Sequence, residues 1–195
     1  SGGARAILSA YPDIQLTTAS QKRYGEKNTA ENDRTFCLAG KQWTWQGLRF
    51  TVLSPNNIVP RAENPDSCTL LLTDGKHNIL LTGDADLSVE YKILPKLDKI
   101  HVLQVGHHGS KTSTGEAFVR HIQPDIALIS SSRWNPWHFP HQTVVDRLTR
   151  HHAQLYNTAE AGQIRLLFEE NDIKIQTARA EFSPWYRRLI GLKGK

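Results

Sequence analysis

A layered α/β fold is expected from the sequence on three grounds. Short apolar runs of strand length alternate with segments whose apolar residues recur at helical spacing. Two of those runs end in Gly83-Asp84 and Gly106-His107, where side chains from different strands of an α/β sheet can meet in one crevice. A chain of 195 residues with 38% hydrophobic content can form one compact core, and a single domain over residues 1–180 with a tail over 181–195 is the simplest division.

Residues 4–10 read as the end of a helix, stopped at Tyr11-Pro12. Residues 15–18 read as a strand and 21–34 as polar, uneven loop. Residues 42–46 and 48–53 form strands separated at Gly47 in hairpin fashion, and 54–65, with three prolines, is a loop crossing the rim of any site. Strands at 68–73 and 78–82 pair around Asp74-Gly75, a tight-turn dipeptide. A short helix over 87–94 ends at Pro95, a strand follows at 100–105, and a second helix at 116–121. Residues 125–130 are a buried strand, 143–151 a helix with Val144, Val145 and Leu148 on one side, and strands at 154–156, 163–168 and 173–177 complete the sheets. No internal repeat or low-complexity tract occurs.

The run Val105-Gly106-His107-His108-Gly109-Ser110-Lys111-Thr112-Ser113 carries most of the chemistry, with His107 following Asp84 by 23 residues. Two adjacent imidazoles, a glycine, a hydroxyl and a cation suit a site for a metal and a phosphate. Singly, Gly-Asp after a strand is only a turn, and a histidine only a surface residue. Together, past two strand ends, they point to a site.

Leu81-Thr82-Gly83-Asp84 followed by Gly106-His107-His108-Gly109-Ser110-Lys111-Thr112-Ser113 resembles the metallo-β-lactamase-like domain of ComEC-type DNA-uptake proteins of naturally competent bacteria. Asn64-Pro65-Asp66-Ser67-Cys68 resembles that family's Asn-x-x-Ser element, and residues 131–141 its Asn- and Pro-His-containing loop. The resemblance implies an αββα sandwich with its site at one edge. It also implies a His-x-His-x-Asp-His loop, yet no His-x-His triplet occurs among the nine histidines. In ComEC-like proteins Ser-Gly-Gly follows that loop, and this chain opens with Ser1-Gly2-Gly3, so an N-terminally truncated sandwich is expected. The rival explanation is a remnant of an expression tag. The absence of Met favours excision or processing.

Carried over by residue, the resemblance makes Asp84 the metal-bridging carboxylate and His107 or His108 a metal ligand, with spacing unable to choose between the histidines. Ser110 and Lys111 would meet a substrate phosphate, one by hydrogen bond and one by charge. Arg133, Asn135 and His141 join them as substrate-binding candidates. Phe139 stands where relatives place a histidine, and His138 or His141 is left to substitute. The implied reaction is hydrolysis of a DNA phosphodiester assisted by zinc or manganese, removing the strand that is not imported. Asp84 and one histidine are too few ligands for tight binding, so this chain alone is expected to hold no metal and to be inactive. Two other readings stay open: a non-catalytic module guiding single-stranded DNA through Lys111, Arg133, Trp134 and Trp137, and a hydrolase of small esters or phosphodiesters.

Charge adds little. Five basic residues and one acidic residue between Arg179 and Lys195 account for four of the five net positive charges. The body is nearly neutral, so any hold on phosphate must be local. In the tail, Phe182, Trp185, Tyr186, Leu189, Ile190 and Leu192 interleave with Arg187, Arg188 and Lys193, which suits either a membrane headgroup surface or packing onto the domain itself. No apolar run approaches the roughly 18 residues of a bilayer span, and no signal peptide is apparent. By resemblance, the domain belongs on the extracytoplasmic side of the inner membrane. Its expected partners are single-stranded DNA, the membrane-embedded remainder of the parent and a second copy joined through exposed sheet edge. Cys37 and Cys68 are either two buried thiols or, in that compartment, a disulfide.

Overall fold

The computed structural model describes residues 6–7, 9–11, 14, 16–21, 34–170 and 172–181. The helix end expected over 4–10 is seen only at residues 6–7 and 9–10, and the basic aromatic tail from 182 onward lies outside the described residues.

Strand β1 (Leu16–Thr18) pairs in parallel with β2 (Arg34–Phe36). The main sheet has seven strands in chain order: β3 (Gln42–Trp45), β4 (Leu48–Ser54), β5 (Thr69–Thr73), β6 (Asn78–Leu81), β7 (Val102–Gln104), β8 (Ile126–Ile129) and β9 (Gln154–Asn157). From β3 to β6 neighbours run antiparallel; from β6 to β9 they run parallel. Parallel strands need crossovers. Helices α1 (Leu87–Ile93), α2 (Glu116–Ile122) and α3 (Gln142–Arg150) supply them.

The β3–β4 hairpin closes through Gln46 and Gly47, both at positive φ (48° and 81°), which is the twist-matched two-residue turn where glycine is favoured. The expected tight turn at Asp74-Gly75 is instead a four-residue loop, with Thr73 opposite Asn78. Asp74 accepts from the Lys76 and His77 amides at 2.8 and 2.6 Å and meets the His77 ring at 2.8 Å, so the carboxylate, not the dipeptide alone, closes the loop.

Registry across the sheet puts Leu71, Leu80, Leu103, Ala127 and Leu155 in one row facing the helices. Val89 and Ile93 from α1, Phe118, Val119 and Ile122 from α2, and Val144 and Leu148 from α3 pack against it. Each fully buried aliphatic of this set contributes about 1.5–3 kcal/mol. On the opposite face Val102 and Ile126 are buried, while Leu70, Leu72 and Ile79 stay partly exposed.

Residues 163–168 and 173–177 form strands as expected: β10 (Ile164–Phe168) and β11 (Ile173–Thr177) make an antiparallel pair outside the main sheet. Asn157 caps a short helix α4 (Thr158–Ala161) and Gly162 turns the chain away from β9, so the edge is not extended. The proline-bearing loop contains a turn at Asn64–Asp66, where Glu63 and Asp66 cap each other reciprocally. A further helix, α5 (Ala178–Glu181), follows β11.

Cys37 and Cys68 are disulfide-bonded. The bridge ties the end of the β1–β2 pair to the entry of β5. Among the described residues no helix is long and apolar enough to cross a membrane.

Candidate functional site

Strands β6, β7 and β8 run parallel, so the loops that follow them leave the same rim of the sheet. Thr82-Gly83-Asp84 follows β6 and the histidine pair follows β7. Gln104, the last residue of β7, binds them together: its side-chain oxygen accepts from the Thr82 and Gly83 amides at 3.1 and 3.0 Å, and its Nε2 donates to the Val105 carbonyl at 2.9 Å. The Thr82 hydroxyl returns a bond to the Gln104 carbonyl, and the His107 amide donates to the Gly83 carbonyl at 2.9 Å. Gln104 escaped the sequence reading; its only mark there is a polar residue at the tip of an apolar strand.

His107 (φ 47°, ψ 45°) and His108 (φ 57°, ψ 18°) are consecutive left-handed residues within the Gly106–Gly109 turn. For residues with a Cβ this costs roughly 1 kcal/mol or more each, and such strain persists only where the surroundings impose it. Here the Ser113 hydroxyl holds the Gly106 carbonyl at 2.7 Å, and the His141 amide holds the Gly109 carbonyl at 2.8 Å.

The turn aims the imidazoles. His108 Nδ1 lies 2.7 Å from the Ser130 carbonyl, which can only accept, so Nδ1 donates there and Nε2 is the nitrogen turned to the site. That Nε2 stands 3.6 Å from Asp84 Oδ1, with both side chains about half exposed. His107 Nδ1 lies 3.4 Å from both the Asn64 amide nitrogen and the Thr112 hydroxyl, and its ring sits 5.9 Å from that of Phe139. The Asn64–Asp66 turn thus reaches His107 through the Asn64 side chain.

The other expected residues are placed differently. Ser110 is buried, its hydroxyl 3.0 Å from that of Thr112 and accepting from the Thr112 amide. Lys111 is exposed and lines a cavity of about 340 Å³ between α1 and α2, a wall shared with Leu87, Tyr91 and Phe118 and with none of Asp84, His107 or His108. Asn135 braces its own loop, donating to the Ser132 and Phe139 carbonyls and accepting from the Phe139 amide. Arg133 Nε donates to the Ala159 carbonyl at 2.9 Å, and His141 caps α3. Phe139, standing in the family's histidine position, abuts His107, while His138 is exposed.

Outside this group, a buried carboxyl is shifted upward. Glu90 on α1 is only 2% exposed, and burial pushes it up to about 7, against hydrogen bonds from the Gly115 and Thr114 amides and the charge of Arg147. It receives the start of α2 and so joins two helices.

Two ligands of one tetrahedral ion, each about 2.1 Å away, stand about 3.4 Å apart. The separation of His108 Nε2 and Asp84 Oδ1 fits that spacing, and an imidazole with a carboxylate suits a divalent cation. Two donors are a partial set, however, and among the described residues no three His, Cys, Asp or Glu side chains cluster to hold an ion. The described residues alone therefore do not complete a metal site.

Comparison with known proteins agrees with this geometry. Residues 1–133 match the Metallo-beta-lactamase superfamily, whose members usually bind divalent metals. The chain is 54% identical over 191 residues to Recombination protein 2 of Haemophilus influenzae, covering 98% of this chain and 24% of that protein. It is 39% identical over 125 residues to ComE operon protein 3 of Bacillus subtilis (63% and 16% covered) and 29% identical over 153 residues to Competence protein ComA of Neisseria gonorrhoeae (77% and 22%). The chain thus spans about a quarter or less of the length of these relatives. With a mixed α/β sheet, a histidine and an aspartate at adjacent strand tips and this match, the chain belongs to the metallo-beta-lactamase superfamily and is of the type found in ComEC-like competence proteins.

Proposed function

We propose that this chain is the hydrolytic portion of a DNA-uptake protein, acting on the strand that is not imported. The observation that carries the reading is the His108–Asp84 pair: one imidazole nitrogen is held by the Ser130 carbonyl, and the other faces the Asp84 carboxylate at 3.6 Å. The names of two relatives, Competence protein ComA and ComE operon protein 3, support DNA uptake as the setting.

In the longer protein, Asp84 and His108 would be two of the ligands of a divalent cation, zinc or manganese. When bound, that ion acidifies water and offsets charge on phosphate. The residues of this chain do the positioning. Gln104 ties the two strand tips together, and His107 faces the same rim with Asn64 beside it; Arg133, His141 and Lys111 stay candidates for contact with a phosphate chain. The disulfide supports an extracytoplasmic placement, since such bonds persist in oxidising compartments. The partners in this reading are single-stranded DNA and the membrane-embedded remainder of the parent. A second copy through the exposed β3 edge is a further one.

The test is nucleotide release from single-stranded DNA by the longer protein. Asp84→Ala and His108→Ala should each lower the rate by about 100-fold or more. Undiminished release in both variants would overturn the assignment.

A further inference from the structure

We propose that the loop following β8 is a base-stacking platform for unpaired nucleotides, built on Trp134 and Trp137 and joined to the site through Phe139. The proposal rests on the reading above only for the identity of the polymer.

Two tryptophans within four residues are left in solvent, Trp134 at 91% exposure and Trp137 at 70%. Large aromatics so placed in a folded domain mark a contact surface. They are not stray. The Trp137 and Phe139 rings lie 18° from parallel with centroids 6.4 Å apart, and Phe139 meets the His107 ring at 5.9 Å. An aromatic row therefore runs from solvent to the rim that holds Asp84 and His108.

The row is also held in place before any ligand arrives. Asn135 makes three hydrogen bonds within the loop at 2.7 to 2.9 Å, and the His141 amide fastens its far end to Gly109. A pre-ordered aromatic surface avoids the ordering cost of binding. Residues 130–145 contain no Asp or Glu and carry Arg133, His138 and His141, so a polyanion approaches without like-charge opposition. Every base offers a π-face, which makes stacking tolerant of sequence, and duplex DNA hides those faces inside its own stack. The occupant that fits is thus single-stranded DNA, whose bases would seat on the indoles while its phosphates pass toward the histidines.

The experiment uses this chain and a labelled oligothymidylate, with a duplex of equal length and anionic phospholipid vesicles as comparison probes. The wild type should bind the single strand more tightly than the duplex, with quenching of tryptophan emission. Trp134→Ala and Trp137→Ala should each weaken that binding by about 5- to 100-fold, and Trp137→Phe should retain most of it. Both side chains are exposed, so circular dichroism should show the fold unchanged. Wild-type affinity in both alanine variants, equal binding of duplex, or a fluorescence response to vesicles alone overturns the platform. If the alanine variants bind normally while Asp84→Ala abolishes hydrolysis in the longer protein, the platform falls and the hydrolase reading stands. If they lose binding while Asp84→Ala still cleaves, the platform stands and the hydrolase reading falls.

Discussion

At Glu90 a carboxyl is removed from water on α1 and met by the amides of Thr114 and Gly115. Unfolded, it titrates near 4.5; folded, at about 7. The native state therefore holds the proton more tightly. The stability this provides is complete below pH 4.5 and is lost as the pH climbs through 7. Urea unfolding of the wild type should lose about 3 kcal/mol from this group between pH 4.5 and 8. Glu90→Gln cannot titrate and should flatten that slope; an equal slope in the variant would show that the carboxyl does not carry it. Asp84, His107 and His108 were legible in the sequence because a polar group after an apolar strand stands out at a fixed place. Glu90 and Gln104 were not. Their partners are backbone amides of other segments, which leave no trace in residue type, and the burial of Glu90 depends on the packing of three helices.

Among the connecting segments, the β7–α2 turn and the loop after β8 are pressed together at Gly109. A Cβ built there would lie 2.6 Å from Pro140 Cβ and 3.0 Å from Pro140 Cα, and Gly109 sits at φ 83°. Gly109→Ala should cost about 2–4 kcal/mol by thermal or urea unfolding, from strain and overlap combined. A loss under about 0.5 kcal/mol would mean the two segments part easily. The strands β4 to β9 were readable because apolar runs bounded by turn residues are local signals. The separate pairing of β10 with β11 was not, since the choice of neighbour is made by Asn157, α4 and Gly162 at the exit from β9. Likewise, Ser110 and Lys111 are adjacent in sequence, but one is buried and the other lines a different cavity, a divergence that spacing alone does not show.

Over the whole molecule, the disulfide cross-links the end of the β1–β2 pair to the entry of β5, closing a separation of 31 residues. Closing a loop of that size stabilises a fold by about 3–4 kcal/mol. Reduction, or Cys37→Ser with Cys68→Ser, should lower the urea midpoint accordingly, and an unchanged midpoint would show the link to be energetically idle. The sequence left thiols and bridge as alternatives because pairing depends on where two distant segments settle. The direction of the strands has a wider consequence. The segments after β6, β7 and β8 depart from one border but grow from independent strands, each anchored by its own crossover helix. Exchanging the outer part of the loop after β8, with Ser130, Phe139, Pro140 and His141 kept, would leave Asp84 on the β6 tip and the histidine turn still held by Ser130 and His141. On the reading proposed above, choice of polymer and the chemistry performed on it would rest on different segments, so that a change in one need not entail a change in the other.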